Sequence, residues 1–193
     1  MSDETRIEGN QDQTCIESGS VVGGGFNLVG QTFPAYGVDW TIVSELPASG
    51  GEADLYVLEA EDYDWLMLKL YRKGIAPKQE ILELLQELDS EHVVQVYEIG
   101  ERDGRAYELQ EYIHNRSLAD LMKGSGALPL SKAREHLNEL LIAVEHLHGQ
   151  GIIHRDLKPG NILVRTLEPL DLVVTDFGIA SRTDLSLVQT SAN

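Results

Sequence analysis

Two short polar segments in the second half of the chain carry the side chains best suited to chemistry. The run at 154–161, HRDLKPGN, places Asn161 five positions after Asp156, and a second aspartate, Asp176, begins the triplet DFG at 176–178. A carboxylate can serve as a base, and carboxylate and amide oxygens are ligands that Mg²⁺ accepts. Phosphoryl transfer needs a base beside the acceptor hydroxyl and metal ligands on the phosphates. The two segments therefore hold the residue types for that chemistry.

The order and spacing of the two segments carry a family resemblance. HRDLKPGN followed by DFG matches the catalytic loop and the metal-binding motif of protein kinases. On these motifs the chain resembles a Hanks-type, eukaryotic-like Ser/Thr protein kinase, and Gly160 gives the loop a bacterial form. The resemblance extends from about Val38 to the C-terminus. It implies ATP-dependent phosphorylation of Ser and Thr residues on proteins, with ATP and Mg²⁺ as cofactors and a protein as the substrate.

The resemblance also implies a role for each motif residue. Asp156 would accept the proton of the substrate hydroxyl. Lys158, at a position that marks Ser/Thr rather than Tyr kinases, would steady the transferring phosphate. Asn161 and Asp176 would bind the metal. Lys69, on the third strand after a glycine-containing loop, would hold the α- and β-phosphates.

Lys69 is expected to pair with a glutamate of the following helix, for which Glu80 and Glu83 are the candidates. The paired glutamate should have an apolar residue one turn further on. Leu84 stands four positions after Glu80, whereas Glu87 stands four positions after Glu83. We therefore predict that Glu80 is the partner of Lys69.

The other nucleotide-binding positions follow from the same resemblance. The glycine loop reads ASGGEA at 48–53, which keeps the middle glycine of the family pattern, and Met67 stands where the family has a small alanine above the adenine. Gln110 would be the gatekeeper. The expected nucleotide contacts besides Lys69, Glu80 and Asp176 are Ala48, Gly50, Gly51, Leu55, Met67, the backbone of Glu111 and Ile113, and Leu163 beneath the ring.

Hydrophobic periodicity predicts the elements that position these residues. Strands are expected over 40–46, 54–59, 65–71, 93–99, 105–112, 162–164 and 172–174, and a helix over 77–88. A longer helix over 131–148 would have Ser131 as N-cap and Gly149 as C-terminal stop. Its predicted buried stripe is Ala133, Leu137, Leu140, Leu141, Val144 and Leu147. With these elements, the resemblance implies the α+β fold class, a protein-kinase-like bilobal fold with a β-rich N-lobe and an incomplete helical C-lobe.

The same patterns predict the domain organisation. Residues 1–35 read as an acidic, Gly-rich, disordered leader, and 36–193 as a truncated kinase domain. Within it, 36–112 would be the ATP-binding N-lobe and 113–193 a partial C-lobe with the catalytic loop and DFG. After Arg182 the sequence TDLSLVQTSAN contains no A-P-E motif and none of the helices that cover a kinase C-lobe. We therefore expect a fragment that is itself inactive, cut within the activation segment.

Two further expectations concern single residues of these segments. In the family, an arginine at the position of Arg155 pairs with a phosphorylated residue of the activation segment. Thr190 and Ser191 are the first candidates for that residue, ahead of Thr183 and Ser186. His154 is expected to be a core residue that stacks near Phe177 rather than a catalyst, and no histidine of the long helix has metal-ligand company.

Composition narrows the class of partner. The net charge of −17, with no Lys/Arg run, disfavours nucleic acid and anionic membrane surfaces. A single cysteine, Cys15, and the lack of a membrane-length apolar run indicate a cytoplasmic protein; the sequence sets no oligomeric state. Two rival functions stay open. One is a small-molecule kinase of the aminoglycoside-phosphotransferase kind, which typically lacks the Lys158 position and the Phe177-Gly178 pair. The other is a degenerate kinase that acts as a nucleotide-binding or scaffold module.

Overall fold

The computed structural model describes residues 28–47, 51–88, 91–125 and 129–182. In these ranges the N-terminal part forms a six-stranded antiparallel sheet with the strand order β1-β2-β3-β4-β6-β5. Its strands are β1 (Thr32–Ala35), β2 (Val38–Leu46), β3 (Ala53–Glu59), β4 (Leu66–Tyr71), β5 (Val96–Arg102) and β6 (Arg105–Glu111). All five strands that periodicity predicts in this lobe are present. The fourth of them, β5, begins at Val96 rather than Val93.

Strand β1 lies inside the segment that the sequence assigns to a disordered leader. The boundary at residue 35 is therefore wrong for residues 32–35, which pair with β2 in the register Phe33 to Trp40. Phe33 is buried, and its ring meets Tyr107 edge to face at 5.1 Å between centroids. Pro34 is tolerated because β1 is an edge strand, where a missing N–H leaves no neighbour unpaired. The residues before 28 lie outside the described part of the chain.

The helix α1 (Gln79–Glu87) follows β4 and packs one face into the core. Ile81, Leu82 and Leu85 are its buried residues, whereas Leu84 is only partly buried. In the sequence, Ile81, Leu84, Leu85 and Leu88 stand at helical spacing, which predicts that Leu84 faces inward and omits Leu82. The observed stripe is thus rotated relative to the predicted one, and this rotation matters for the glutamates on the same helix.

In its described residues, the second lobe contains two helices and two small two-stranded sheets. The helices are α2 (Leu118–Ser125), which the sequence analysis missed, and α3 (Leu130–Gly149). The strands are β7 (Ile152–Ile153), β8 (Ile162–Leu167), β9 (Leu170–Val174) and β10 (Ser181–Arg182). Strand β8 pairs with β9, and β10 pairs with β7. One 3-10 turn, Pro159–Asn161, connects the polar loop to β8.

Two predictions about α3 are wrong. The helix starts after Pro129 with no side-chain cap, so Ser131 lies inside the helix instead of capping it. At the other end Gly149 is still helical, and Gly151 takes the left-handed conformation, with φ 74°, that turns the chain into β7. Glycine adopts that conformation without the steric penalty of a side chain.

The predicted buried stripe of α3 is also only partly correct. Leu147 is buried as expected, together with Ala143 and His136. Leu137 and Leu141 are instead 55% and 56% exposed. One apolar face of α3 is therefore open to solvent in the part of the chain that the structure describes.

A single apolar cluster joins the two lobes. It combines the buried face of α1 with residues of α3, β7 and β9, and with Phe177. The backbone also crosses the boundary, because Val94 N donates to Val174 O at 2.9 Å and Val174 N donates to His92 O at 2.9 Å. These contacts hold β9, and the polar segment that follows it, against the N-terminal sheet. Among the described residues, no helix combines the length and apolarity needed to cross a membrane.

Candidate active site

The loop between β7 and β8 carries the first polar segment in a fixed backbone conformation. Arg155 has φ 66°, a left-handed value that is unfavourable for a residue with a side chain. The loop is closed by Asn161 N, which donates to Lys158 O at 2.8 Å in the 3-10 turn. The conformation costs free energy and is held by the surrounding contacts, as residues in functional loops often are.

Asp156 is held by two side chains of its own loop. Asn161 Nδ2 donates to the backbone oxygen of Asp156 at 2.9 Å and to its Oδ2 at 3.0 Å. Lys158 Nζ donates to the same Oδ2 at 2.5 Å. The hydrogen bond from Lys158 is the main cause that lowers the pKa of Asp156; partial burial opposes it, and the bond from Asn161 adds to it. The Asp156 carboxyl is therefore ionised at neutral pH.

His154 links the two polar segments. Its Nδ1 accepts from the N–H of Asp156 at 3.2 Å, which assigns the proton to Nε2, and Nε2 donates to Thr175 O at 2.9 Å. Its ring lies 4.7 Å from that of Phe177 between centroids. The predicted stacking of a buried His154 near Phe177 is confirmed. Since both ring nitrogens are used by backbone groups, His154 is a positioning residue.

The second polar segment, the DFG triplet, follows β9, and it brings Asp176 beside the first polar segment, HRDLKPGN. Asp176 also takes a left-handed φ of 66°, and Thr175 N donates to Asn161 O at 3.0 Å. The carboxylate of Asp176 accepts from Lys69 Nζ at 2.9 Å. The structure thus brings Lys69, Asp176, Asn161 and Asp156 into one connected set.

Lys69 is buried in the sheet, and its second ionic partner is on the neighbouring strand. Glu108 Oε1 lies 3.3 Å from Lys69 Nζ, and Tyr71 OH donates to the same oxygen at 3.1 Å. Burial alone would lower the pKa of Lys69, but the negative charges of Glu108 and Asp176 outweigh burial and raise the pKa above its ordinary value. Lys69 is therefore a fixed positive charge.

The predicted partner of Lys69 is wrong. Glu80 is exposed on the first turn of α1, and Glu83 is also exposed, where it accepts from Gln79 Nε2 at 3.3 Å. The physical reason is the rotation of α1 described above. Because the helix buries Ile81, Leu82 and Leu85, Glu80 and Glu83 lie on its exposed side.

The donor set near Asp176 fits a hard divalent cation. The amide nitrogen of Asn161 is taken by Asp156, so the amide oxygen is the atom available as a ligand. The side chain of Asp176 is 43% exposed, and one carboxylate oxygen is bonded to Lys69. Mg²⁺ is commonly held by one or two such oxygens, with phosphates and water completing its octahedron. Among the described residues, no three His, Cys, Asp or Glu side chains gather into a metal site of their own.

The expected nucleotide-binding positions occupy one face of the sheet and the edge of the second lobe. Cross-strand pairing sets Leu55 opposite Lys69 and Met67 opposite Gln110. Gln110 and Ile113 are buried, and Leu163 packs partly buried against the shared cluster. Gly51 is exposed, two residues before the start of β3. Ala48 and Gly50 lie outside the described residues, as do the phosphorylation candidates Thr183, Ser186, Thr190 and Ser191.

The side chain of Glu111 has a structural use that the sequence analysis missed. Arg165 Nη2 donates to both carboxylate oxygens of Glu111 at 3.0 Å, and Arg165 Nη1 donates to Asp171 Oδ2 at 2.9 Å. Gln95 N donates to Glu111 Oε1 at 2.9 Å. Arg165 therefore connects the end of β6 with β8 and β9, across the boundary between the lobes. A planar guanidinium suits such a paired contact.

A sheet lobe with a buried lysine, joined to a second lobe with this pair of polar segments, defines the protein kinase class of folds. The sequence pattern of the protein kinase domain matches residues 67–192. The chain belongs to the protein kinase family.

Individual relatives agree with this placement. The serine/threonine-protein kinase PrkC of Bacillus subtilis is 31% identical over 140 residues, which is 68% of this chain and 21% of that protein. RAD53 of Saccharomyces cerevisiae, also a serine/threonine-protein kinase, is 35% identical over 99 residues, 51% of this chain and 12% of that protein. The chain spans about a fifth of PrkC's length.

Solved structures give the same fold. The crystal structure of Rad53 1-466 in complex with AMP-PNP matches with a TM-score of 0.66 and 29% identity, over 72% of this chain and 38% of that one. The kinase domain of Mycobacterium tuberculosis PknI matches with a TM-score of 0.61 and 24% identity, over 74% of this chain and 60% of that one. The predicted bilobal, kinase-like fold is confirmed.

Proposed function

We propose that this chain carries the ATP site and the phosphoryl-transfer residues of a protein Ser/Thr kinase. The observation that carries the proposal is the continuous contact from Lys69 to Asp156. Lys69 meets Asp176 at 2.9 Å, Thr175 N meets Asn161 O at 3.0 Å, and Asn161 Nδ2 meets the Asp156 carboxylate at 3.0 Å. A phosphate-binding cation, two oxygen ligands for a metal and a base are what this reaction requires.

Each residue has a defined task in the proposed reaction. Asp156, whose pKa is lowered mainly by Lys158, accepts the proton of a Ser or Thr hydroxyl as that oxygen bonds to the γ-phosphorus and the bond to the ADP oxygen breaks. Lys158 remains beside the transferring group, and Lys69 holds the α- and β-phosphates. Mg²⁺, when held by Asn161 and Asp176, neutralises charge on the phosphates.

Relatives support the nucleotide and the type of acceptor. The similar Rad53 structure is a complex with AMP-PNP, an ATP analogue, and PrkC and RAD53 are named serine/threonine-protein kinases. Lys158 and the Phe177-Gly178 pair favour a protein acceptor over the small-molecule acceptors of aminoglycoside phosphotransferases. From the acidic charge and the single cysteine, we also propose a cytoplasmic protein that does not bind nucleic acid.

Calorimetric binding of Mg-ATP tests the proposal. Lys69→Met should weaken binding by about tenfold or more, because a buried cation that neutralises phosphate is lost. The matched control is Lys123→Met, whose side chain is 76% exposed and distant in sequence from the site; it should leave the affinity unchanged. Transfer of labelled phosphate to Ser/Thr peptides is then measured in the full-length protein. Equal affinities for the Lys69 variant and the unaltered chain would contradict the nucleotide site.

One contact favours the second candidate, a kinase-like module that binds without transfer. A methyl group placed on Gly178 would lie 3.2 Å from Glu52 Oε2 and 3.8 Å from Asp176 Oδ1. The Glu52 carboxylate thus lies beside Gly178, near the carboxylate of Asp176, and a negative charge there would repel a phosphate held by Asp176 through a metal. If this candidate is right, Glu52→Gln tightens Mg-ATP binding while the full-length protein transfers no phosphate. If the first is right, the unaltered full-length protein transfers phosphate.

A further inference from the structure

The buried charges of the sheet are confined to one pair. Among the described residues, Lys69 and Glu108 are the only Asp, Glu, Lys or Arg residues that are buried, at 9% and 4% exposure. A charge taken out of water is tolerated in a folded protein when a partner of opposite sign compensates it. Because no other charged residue in the described part of the sheet is buried, we infer that Lys69 and Glu108 compensate each other's charge.

The register of the sheet fixes Lys69 and Glu108 opposite each other. Lys69 on β4 is the direct cross-strand neighbour of Glu108 on β6, so both side chains leave the same face of the sheet. Tyr71 stands two positions beyond Lys69 on the same face and donates its hydroxyl to Glu108 Oε1. Glu108 is therefore fixed by two donors, both supplied by one strand.

The helix offers Lys69 no comparable partner. All three glutamates of α1, Glu80, Glu83 and Glu87, are exposed. The apolar residues of α1 pack instead into the cluster shared by the lobes. Rotating a glutamate inward would expose that apolar face.

We propose that Glu108, on strand β6, is the residue that positions Lys69 for the nucleotide phosphates, in place of a glutamate from helix α1. This inference rests on the proposed ATP site. It implies that the position of Lys69 is set within a rigid sheet and does not depend on movement of α1.

Binding measurements with two ligands separate positioning from folding. Glu108→Gln keeps the shape and removes the charge, and it should raise the Kd for Mg-ATP about tenfold or more, because the buried partner of Lys69 is no longer charged. The Kd for adenosine, which has no phosphates, should stay within about twofold of the unaltered value. Tyr71→Phe, which removes only the hydroxyl, should weaken Mg-ATP binding by a smaller factor. Glu80→Gln and Glu83→Gln are the matched controls, and they should change neither affinity.

A double-mutant cycle tests the pair without any nucleotide. Glu108→Gln alone should lower the melting temperature by about 4 °C or more, because it leaves the buried Lys69 with less compensation. In a Lys69→Met background the same change should cost much less.

The outcomes distinguish the positioning role of Glu108 from the proposed nucleotide site itself. Loss of Mg-ATP affinity in Glu80→Gln but not in Glu108→Gln would overturn the inference, and so would additive melting shifts. Absence of Mg-ATP binding by the unaltered chain would remove the proposed function and, with it, the role of Glu108 toward phosphates. A non-additive cycle would then still establish the ion pair as structural only.

Discussion

The side-chain amide of Asn161 donates to two oxygens of Asp156, the backbone carbonyl at 2.9 Å and Oδ2 of the carboxylate at 3.0 Å. Asn161 is buried and leaves little freedom for this contact to change. The same Asp156 oxygen receives Lys158 Nζ at 2.5 Å. The carboxylate is thus oriented by its own loop before any substrate arrives, which is the preorganisation that its proposed role as a base requires.

Asp156→Asn in the full-length protein should reduce phosphate transfer by at least about 10²-fold, because an amide cannot take the hydroxyl proton. Mg-ATP affinity should stay nearly unchanged, since the base acts on the acceptor rather than on the nucleotide. Rates of transfer and calorimetric titrations of the same preparations measure both. Asp39→Asn, an exposed position on β2, serves as the control. Retained transfer in the Asp156 variant would remove that residue from its role.

Asp176→Asn should abolish the benefit of Mg²⁺ to ATP binding. In the unaltered chain, Mg-ATP at 100 times its Kd should stabilise the native state by about 2.7 kcal/mol. Chelating the metal with EDTA should shrink that stabilisation. In the variant, melting curves with ATP should be the same with and without Mg²⁺, because one of the two proposed ligands is no longer a carboxylate. A persisting Mg²⁺ dependence would place the metal elsewhere.

Arg165→Ala should lower the free energy of unfolding by about 1.5–3 kcal/mol, the range for hydrogen bonds to charged groups. This loss of free energy includes the cost of leaving the carboxylates of Glu111 and Asp171 charged but without their donor. Denaturant titration measures it. Arg165→Lys is the informative comparison, because a single ammonium nitrogen cannot replace both Nη2, which bonds Glu111, and Nη1, which bonds Asp171. If the lysine variant is as stable as the unaltered chain, the paired geometry contributes nothing.

Ser117→Ala should cost about 1 kcal/mol, because Ser117 caps α2. Its Oγ accepts from the N–H of Asp120 at 3.2 Å and donates to Asp120 Oδ2 at 2.6 Å. The hydrogen bond from Ser117 is the main cause that lowers the pKa of Asp120, with the bond from Lys123 next.

The hydrogen bond between Ser117 and Asp120 predicts that the stability of the chain depends on pH. A carboxyl whose pKa is lower in the folded state contributes stability above its unfolded pKa of about 3.9, and the contribution is lost as the pH falls through the lowered value. The difference in stability between the unaltered chain and Ser117→Ala should therefore be constant near neutral pH and shrink in acid. Thermal melts at a series of pH values check this. A difference that grows in acid would contradict the assignment.

The motif residues were predictable because their spacing is local and their order is specific. Asp156 and Asn161 lie in one loop, so five positions of sequence largely determine their contact. Predicting the place of Lys69 required a longer step, because its strand had to be counted along the chain and then placed within a fold. That step is possible because apolar runs mark the strands, including β4, on which Lys69 lies.

The partner of Lys69 was not predictable from helix spacing alone. Leu84 lies one turn after Glu80 and favours that glutamate as the partner. A helix with several leucines can bury more than one face, however, and packing selected Leu82 and Leu85. Glu108 lies within a predicted strand, and a glutamate opposite a lysine on a neighbouring strand indicates an ion pair. Reading it requires the register between β4 and β6, which sequence periodicity does not fix. Helix α2 did carry a local signal, the Ser117-to-Asp120 spacing of a capping box.

The exposed apolar face of α3 has a consequence for how the chain behaves in solution. Leu130, Leu137, Leu141 and Ile142 present a hydrocarbon surface on a molecule whose net charge is −17. At low ionic strength, repulsion between like-charged copies keeps them apart. Added salt screens that repulsion over roughly 8–10 Å at 0.1–0.15 M and leaves the apolar attraction intact. Self-association should therefore increase with salt, the reverse of what an interface built from ion pairs would do.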